Sequence, residues 1–220
     1  MRIGILGSGM VGRALATKLA GLKHEVKIGS RESNNPGAAE WVSTVGSLAS
    51  QGTFAMAASF GEVVILCAKG DAALDVARQA GEQNLAGKVL VDVSNPLDFS
   101  RGMPPGLLPD LSNSNSLGEE PQRRFPSSHV VKALNTTNCE VMVNPQMLAA
   151  PTDIFICGDD EGAKRVVTDL LRSFGWERVV DLGGIAASRG TEMFLPLWLS
   201  LMAKLGTPHF NIQLVRRAVS

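Results

Sequence analysis

Residues 1–22 read MRIGILGSGMVGRALATKLAGL. An apolar run (Ile3, Ile5, Leu6) stops at Gly7-Ser8-Gly9-Met10-Val11-Gly12, and a helical pattern with Val11, Leu15, Leu19 and Leu22 on one face follows at once. The order is strand, glycine turn, helix. In a G-x-G-x-x-G turn the three glycines serve different ends, since Gly7 permits the tight turn, Gly9 lets the backbone approach a pyrophosphate, and Gly12 lets the helix pack closely on the strand. Ser8, Met10 and Val11 stand between them, where unpaired N–H groups and the positive end of the helix dipole meet an anion. The spacing alone is a weak signal. Set between a β-rich run and an amphipathic helix, it predicts a dinucleotide site at the head of a Rossmann-type α/β fold, a doubly wound and mostly parallel sheet.

The next strand, His24 to Arg31 (HEVKIGSR), decides the cofactor by what stands at its end. A ribose 2′-hydroxyl calls for a carboxylate there, whereas Ser30 and Arg31 offer a hydroxyl and a planar cationic fork suited to a 2′-phosphate. NADP is therefore expected rather than NAD. Glu32, one residue later, would serve a ribose if the strand ended there, and a solvated surface charge is the plain alternative for Arg31.

Further strand ends fall on the same ligand-binding edge of such a sheet. A helix from Ala38 carrying Trp41, Val42, Val45 and Leu48 precedes the apolar strand Gly61 to Lys69, so Ala68 and Lys69 reach the cofactor side, where Lys69 is either a phosphate or substrate contact or an ordinary surface lysine. Lys88 to Val93 ends in Ser94-Asn95-Pro96-Leu97, making Asn95 and Pro96 candidates for the nicotinamide pocket, although an Asn-Pro turn needs no ligand. His129 to Asn135 ends in Thr136 and Thr137, which can hydrogen-bond the nicotinamide amide or a substrate, or cap the following turn. Residues 98–116, rich in Pro, Gly, Ser and Asn, read as one long irregular segment, a lid, a substrate loop or disorder. Ser116 and Glu119 then suggest a capping box for a short helix to Arg124. Thr152 to Cys157 and Arg178 to Asp181 complete the strands, with a helix from Asp160 to Phe174 between them.

The carboxyl-terminal stretch divides the chain into residues 1–184, the nucleotide-binding domain, and 185–220, a helical segment expected to complete the substrate site or a homodimer interface. Phe194, Leu197, Trp198, Leu201, Met202 and Leu205 lie on one stripe, widened by Leu195 and Leu199 beyond what one core face needs. Trp198, His209 and Phe210 are the substrate-side candidates there, and Pro196 implies a kink or a late helix start.

Composition narrows the class. With 21 Lys plus Arg against 21 Asp plus Glu, nothing points to nucleic acid or an anionic membrane as partner. Three cysteines without paired spacing (Cys67, Cys139, Cys157) read as buried reduced thiols of a cytoplasmic protein, with no metal site among them. There is no tyrosine, which excludes the Tyr-Lys chemistry of short-chain dehydrogenases, and three histidines make a zinc-dependent alcohol dehydrogenase a poor fit.

Seven segments, GSGMVG at 7–12, GSR at 29–31, VVILCAKG at 63–70, DVSNPL at 92–97, VVKALNT at 130–136, FICGDD at 155–160 and DLGG at 181–184, together resemble the F420-dependent NADP oxidoreductases. The resemblance spans nearly the whole chain. It implies a Rossmann domain with a small carboxyl-terminal part, NADP as cofactor, and coenzyme F420 or a flavin as co-substrate. It implies further that Ser8, Gly9, Met10 and Val11 hold the pyrophosphate, Ser30 and Arg31 the 2′-phosphate, and that Asn95, Pro96, Ala133 and Asn135 border the nicotinamide. No lysine follows Arg31 closely; Asn34 and Asn35 stand where a second cation would help. Direct hydride passage between two stacked rings requires no enzymic acid or base, so no catalytic residue is expected. Reduction of a small carbonyl or imine, reduction of a ferric chelate, and a non-catalytic NADPH sensor are the alternatives.

Overall fold

A computed structural model of the chain describes residues 1–217. The last three residues of the predicted carboxyl-terminal segment, 218–220, lie outside the described residues. In chain order the elements are β1 (Arg2–Leu6), α1 (Met10–Gly21), β2 (Glu25–Ser30), α2 (Pro36–Val45), β3 (Ala49–Thr53), α3 (Phe54–Phe60), β4 (Val63–Leu66), α4 (Gly70–Ala80), α5 (Glu82–Leu85) and β5 (Val89–Asp92). There follow β6 (Leu97–Asp98), β7 (Gly106–Leu107), α6 (Glu119–Arg124), β8 (His129–Ala133), α7 (Cys139–Val143), β9 (Asp153–Gly158), α8 (Glu161–Phe174), β10 (Arg178–Asp181), α9 (Ser188–Met193) and α10 (Leu195–Leu205).

Eight strands form one sheet in the order β10-β9-β8-β5-β4-β1-β2-β3. The chain winds outward from β1 through β2 to β3, then returns to β4 on the other side of β1. The strand order therefore reverses between β1 and β4, and at such a switch point the two diverging connections leave a crevice at the carboxyl edge. Apolar side chains cover both faces, as a parallel sheet requires. On one face Ile3, Ile5, Val26 and Ile28 pack under α1, α2, α7 and α8; on the other Leu6, Val64 and Leu66 pack under α3 and α4.

The fold departs from the sequence reading in four places. The helix expected from Ala38 begins at Pro36, because the Asn35 side chain accepts the Ala38 N–H at 3.1 Å and proline fits the first helical turn, and it ends at Val45, short of Leu48. Residues 49–60, unassigned from the sequence, make β3 and α3; ASQGT has no alternating apolar face, and only its pairing along β2 makes it a strand. The segment 98–116 is not irregular throughout: β6 and β7 pair as an antiparallel hairpin and Pro109–Leu111 forms a 3-10 turn. In the carboxyl-terminal stripe, Leu195, Trp198 and Leu199 are buried while Leu197 and Leu205 are exposed. The helix starts only at Leu195, and its 3.6-residue period turns 197 away from 195, 198, 199 and 202, whereas Leu205 keeps the Trp198 side but is the last residue of the helix and lies beyond the cluster that covers that side.

A buried charge cluster ties the last helices to the sheet. Lys132 Nζ lies 2.9 Å from Asp92 Oδ2, 2.7 Å from Glu192 Oε1 and 2.6 Å from the Ser94 carbonyl, with all three charged side chains at 1% exposure or less. Glu192, in α9, also accepts the N–H groups of Leu117 at 2.7 Å and Gly118 at 2.9 Å. Burial pushes the Glu192 carboxyl above its ordinary range despite the facing ammonium. Burial also works against the charged form of Lys132, but Asp92 and Glu192 outweigh it and hold the ammonium above its ordinary value.

Candidate functional site

The predicted site residues come from five strand ends along one edge of the sheet. After β1, Gly7 takes a φ of +137°, a region open to glycine, and its N–H donates to the Gly29 carbonyl at 3.0 Å. Gly12 lies against the same turn: a methyl group built on it would stand 2.0 Å from the Gly7 carbonyl oxygen. Gly9 is the reverse case, with nothing within 4 Å of such a methyl. It caps α1, where no side chain bonds the free N–H groups and no acidic residue occupies the first turn. That combination fits a pyrophosphate: open space over Gly9, unsatisfied donors and the positive helix end. Ser8 and Val11 are half-buried and Met10 is exposed at the mouth of this space.

After β2, Ser30 is buried and its hydroxyl donates to the Glu32 carbonyl at 2.6 Å, while Arg31 is exposed. After β4, Ala68 is half-buried and Lys69 is the N-terminal cap of α4. The cysteine preceding them, Cys67, is half-buried rather than buried as expected, because it sits at the strand's exit; Cys139 and Cys157 are buried, and all three are free. Burial raises the Cys157 thiol to about 12, so it stays protonated near neutrality.

After β5 and β8 the two candidate nicotinamide walls clamp one another. Asn95 Nδ2 donates to the Asn135 carbonyl at 2.8 Å, and Asn135 Nδ2 donates to Asn95 Oδ1 at 3.0 Å. Leu134 turns the chain toward that clamp with a φ of +63°, a left-handed conformation that a branched side chain enters only when its surroundings hold it there. Ala133 and Pro96 are buried beside the clamp. The turn is anchored from below: Asp92 Oδ1 accepts the Ser94 N–H at 2.9 Å and its hydroxyl at 2.5 Å, and Lys132 holds the Ser94 carbonyl. Sequence reading missed Asp92, Lys132 and Glu192 as a set. The available signal was a lysine inside an apolar strand and an aspartate ending another, each too costly to bury alone.

Thr136 and Thr137 are buried, and neither hydroxyl has a hydrogen-bond partner among the described residues. Buried hydroxyls are rarely left so, and a polar ligand group would satisfy them. The indole N–H of Trp198 is also buried without a partner among the described residues, and its ring stacks on Phe210 with centroids 5.3 Å apart at 21°. Both rings belong to an apolar cluster that includes Leu97, two residues beyond Asn95, so the carboxyl-terminal helix adjoins the Asn95 turn. His209 lies 2.9 Å from Glu140 on α7, the helix that opens just after Thr137. Among the described residues no group of three or more His, Cys, Asp or Glu could hold a metal ion, and no helix is long and apolar enough to cross a membrane.

Sheet order, switch point and glycine loop define a Rossmann-type α/β protein with a helical carboxyl-terminal part. Residues 2–96 match the family model described as NADP oxidoreductase, coenzyme F420-dependent. A candidate F420-dependent NADP-reductase from Arthrobacter sp. FB24 is 44% identical, the match covering 98% of this chain and all of that one, and superposes with a TM-score of 0.93. The F420-dependent NADP reductase of Methanocaldococcus jannaschii is 34% identical over 151 residues, 67% of this chain and 65% of that protein. The metalloreductase STEAP3 of Rattus norvegicus is 33% identical over 205 residues, 90% of this chain but only 38% of the rat protein. The chain thus spans less than two thirds of either curated relative. It belongs to the F420-dependent NADP oxidoreductase family, whose members are NADP-dependent oxidoreductases.

Proposed function

We propose that this chain is an NADP-dependent oxidoreductase that passes a hydride between NADP(H) and coenzyme F420 or a flavin-like acceptor. The observation that carries the reading is the stacked Trp198–Phe210 pair in one apolar cluster with Leu97, beside the Asn95–Asn135 clamp. A flat ring system suits that aromatic wall, and a nicotinamide suits the clamp. The reduced nicotinamide, when bound, supplies the hydride; the chain's residues bind, orient and exclude water.

In this reading the N–H groups around Ser8 to Val11 hold the pyrophosphate, Ser30 and Arg31 hold the 2′-phosphate, and Ala68 and Lys69 flank the cofactor. Asn95, Pro96, Ala133 and Asn135 fix the nicotinamide, and the unpartnered hydroxyls of Thr136 and Thr137 take up polar atoms of cofactor or acceptor. Trp198 and Phe210 give the acceptor a stacking surface, with His209 at its rim. Bringing two rings into contact in a dry site supplies the rate, since most of the barrier lies in positioning. The segment from residue 185 to 217 closes the site, and its exposed Met193, Leu197 and Leu205 form the interface of a homodimer. A cytoplasmic location follows from the soluble cofactors it uses.

The test follows NADPH absorbance in the near ultraviolet with oxidised F420, FMN, riboflavin or a ferric chelate as acceptor, and NADH as control. Rapid oxidation with F420 or a flavin supports the reading. Turnover with iron alone moves the acceptor to the chemistry named for the rat relative, and tight NADPH binding without turnover on any acceptor refutes an oxidoreductase.

A further inference from the structure

The proposed 2′-phosphate site has a charge deficit. A phosphate monoester carries about −1.5 to −2 at neutral pH. The loop after β2 offers Arg31 alone, followed by Glu32, Ser33, Asn34 and Asn35. Both asparagines have their Oδ1 atoms engaged, Asn34 Oδ1 accepting from Gln51 Nε2 at 3.3 Å and Asn35 Oδ1 capping α2, while the Asn35 N–H donates to Gln51 Oε1 at 3.1 Å; their Nδ2 groups can offer a phosphate hydrogen bonds but no positive charge.

A cation reaches the same place from a different element. Arg13 is the fourth residue of α1, on the side facing α2. One turn further along, Trp41 Nε1 of α2 donates to Thr17 Oγ1 of α1 at 3.0 Å, which fixes the rotation of the two helices about each other. Arg13 is thereby laid over the first turn of α2. A methyl built on Gly37 would stand 3.0 Å from Arg13 Nη1 and 3.5 Å from Asn35 Oδ1, so the guanidinium and the capping asparagine border one point. Arg13 is exposed, and among the described residues its guanidinium makes no ion pair or hydrogen bond. Arg31 approaches from the opposite face of the sheet, where its charge reaches Asp75 of α4; that carboxyl is held low first by Arg78 and Gln79, and least by Arg31.

We propose that Arg13, carried by the pyrophosphate helix, is the second cation of the 2′-phosphate site and a specificity-determining residue for NADPH over NADH. It stands in space where the β2–α2 loop carries a neutral asparagine. Such a pair of guanidiniums, one from each side, grips a phosphate through planar donor forks and has nothing to grip on a ribose hydroxyl. The inference rests on the NADP reading of the site and needs no knowledge of the acceptor.

Equilibrium binding of NADPH, NADH, 2′,5′-ADP and 5′-AMP to the full chain, by calorimetry, tests it with Arg13→Gln, Arg13→Lys and Arg31→Gln. Arg13→Gln is expected to weaken NADPH and 2′,5′-ADP about tenfold or more, the loss of one charge-assisted contact, while NADH and 5′-AMP change less than about twofold. Arg13→Lys should recover part of the loss. Circular dichroism confirms that each variant folds. If Arg31→Gln is selective for the 2′-phosphate ligands and Arg13→Gln is not, the role of Arg13 is refuted and the NADP site stands. If the wild-type chain binds NADPH no better than NADH, the NADP site and the role of Arg13 fall together.

Discussion

Lys132→Met puts a measurable number on the buried cluster. The substitution nearly keeps volume but removes the ammonium that lies 2.9 Å from Asp92 and 2.7 Å from Glu192, leaving two carboxylates, each fully buried, without a counter-charge. Neither would be bare, since Asp92 keeps two hydrogen bonds from Ser94 and Glu192 keeps those from Leu117 and Gly118. Breaking a buried ion pair from one side costs about 3–5 kcal/mol. For a chain of this size that is a fall of about 6–20 °C in melting temperature. The loss should depend on pH with a definite sign. Burial already holds the Glu192 carboxyl above its ordinary range, and losing the ammonium that opposes this raises it further, so the variant's deficit is largest at high pH and shrinks as acid protonates it. Thermal unfolding followed by circular dichroism between about pH 8 and pH 5.5 measures both effects. Glu192→Gln, which leaves one carboxylate to one ammonium, should cost less than Lys132→Met. A loss under about 1 kcal/mol at pH 7, or a deficit that grows on acidification, would refute the reasoning.

Three further outcomes follow from the same geometry. Gly9→Ala meets nothing within 4 Å and should leave stability within about 0.5 kcal/mol of wild type while sharply weakening NADPH, whereas Gly12→Ala, 2.0 Å from the Gly7 carbonyl oxygen, should lose about 1–3 kcal/mol or more by denaturant unfolding; equal stability losses would contradict the cradle. Thr137→Val removes a buried hydroxyl with no partner among the described residues, so stability should hold or rise while titration with NADPH or an acceptor weakens; a loss of stability with binding intact would show that the hydroxyl serves the fold. Glu119 receives Arg189 Nε at 2.8 Å and Nη2 at 2.6 Å, and that guanidinium holds its carboxyl below the ordinary range. A depressed carboxyl contributes stability above its unfolded pKa and loses it as pH falls through the folded one, so the gap in melting temperature between wild type and Arg189→Met should be flat near neutrality and close below about pH 4.5.

The local code was strongest where one element determines its own chemistry. Gly7 to Gly12 between an apolar strand and an amphipathic helix foretold the α1 cradle, because strand end, tight turn and helix start are contiguous and their donors are backbone groups. Strand β2 ended at Ser30, one residue before the reading, with Arg31 just beyond it, and Asn95, Asn135, Thr136 and Thr137 fell in the turns after β5 and β8, on the same edge because those strands run parallel to β2. Strand β3 left no trace in the pattern, since ASQGT gains its order from hydrogen bonds to β2 that no side-chain period encodes. The hairpin within 98–116 was hidden in the same way, its two residues a side too short for alternation to register.

By itself, then, the sequence determined a Rossmann-type fold, its glycine turn and the sheet edge on which the candidate site residues gather, because these follow from periodicity and from glycine's missing side chain. Tertiary structure alone decided that Asn95 and Asn135, forty residues apart, clamp each other, and that Lys132 unites Asp92 with Glu192. It likewise set which side of α10 is buried and where Arg13 lies over α2. Each of these is a distance between elements, set by how helices rotate and pack on the sheet, and no pattern within one element records it.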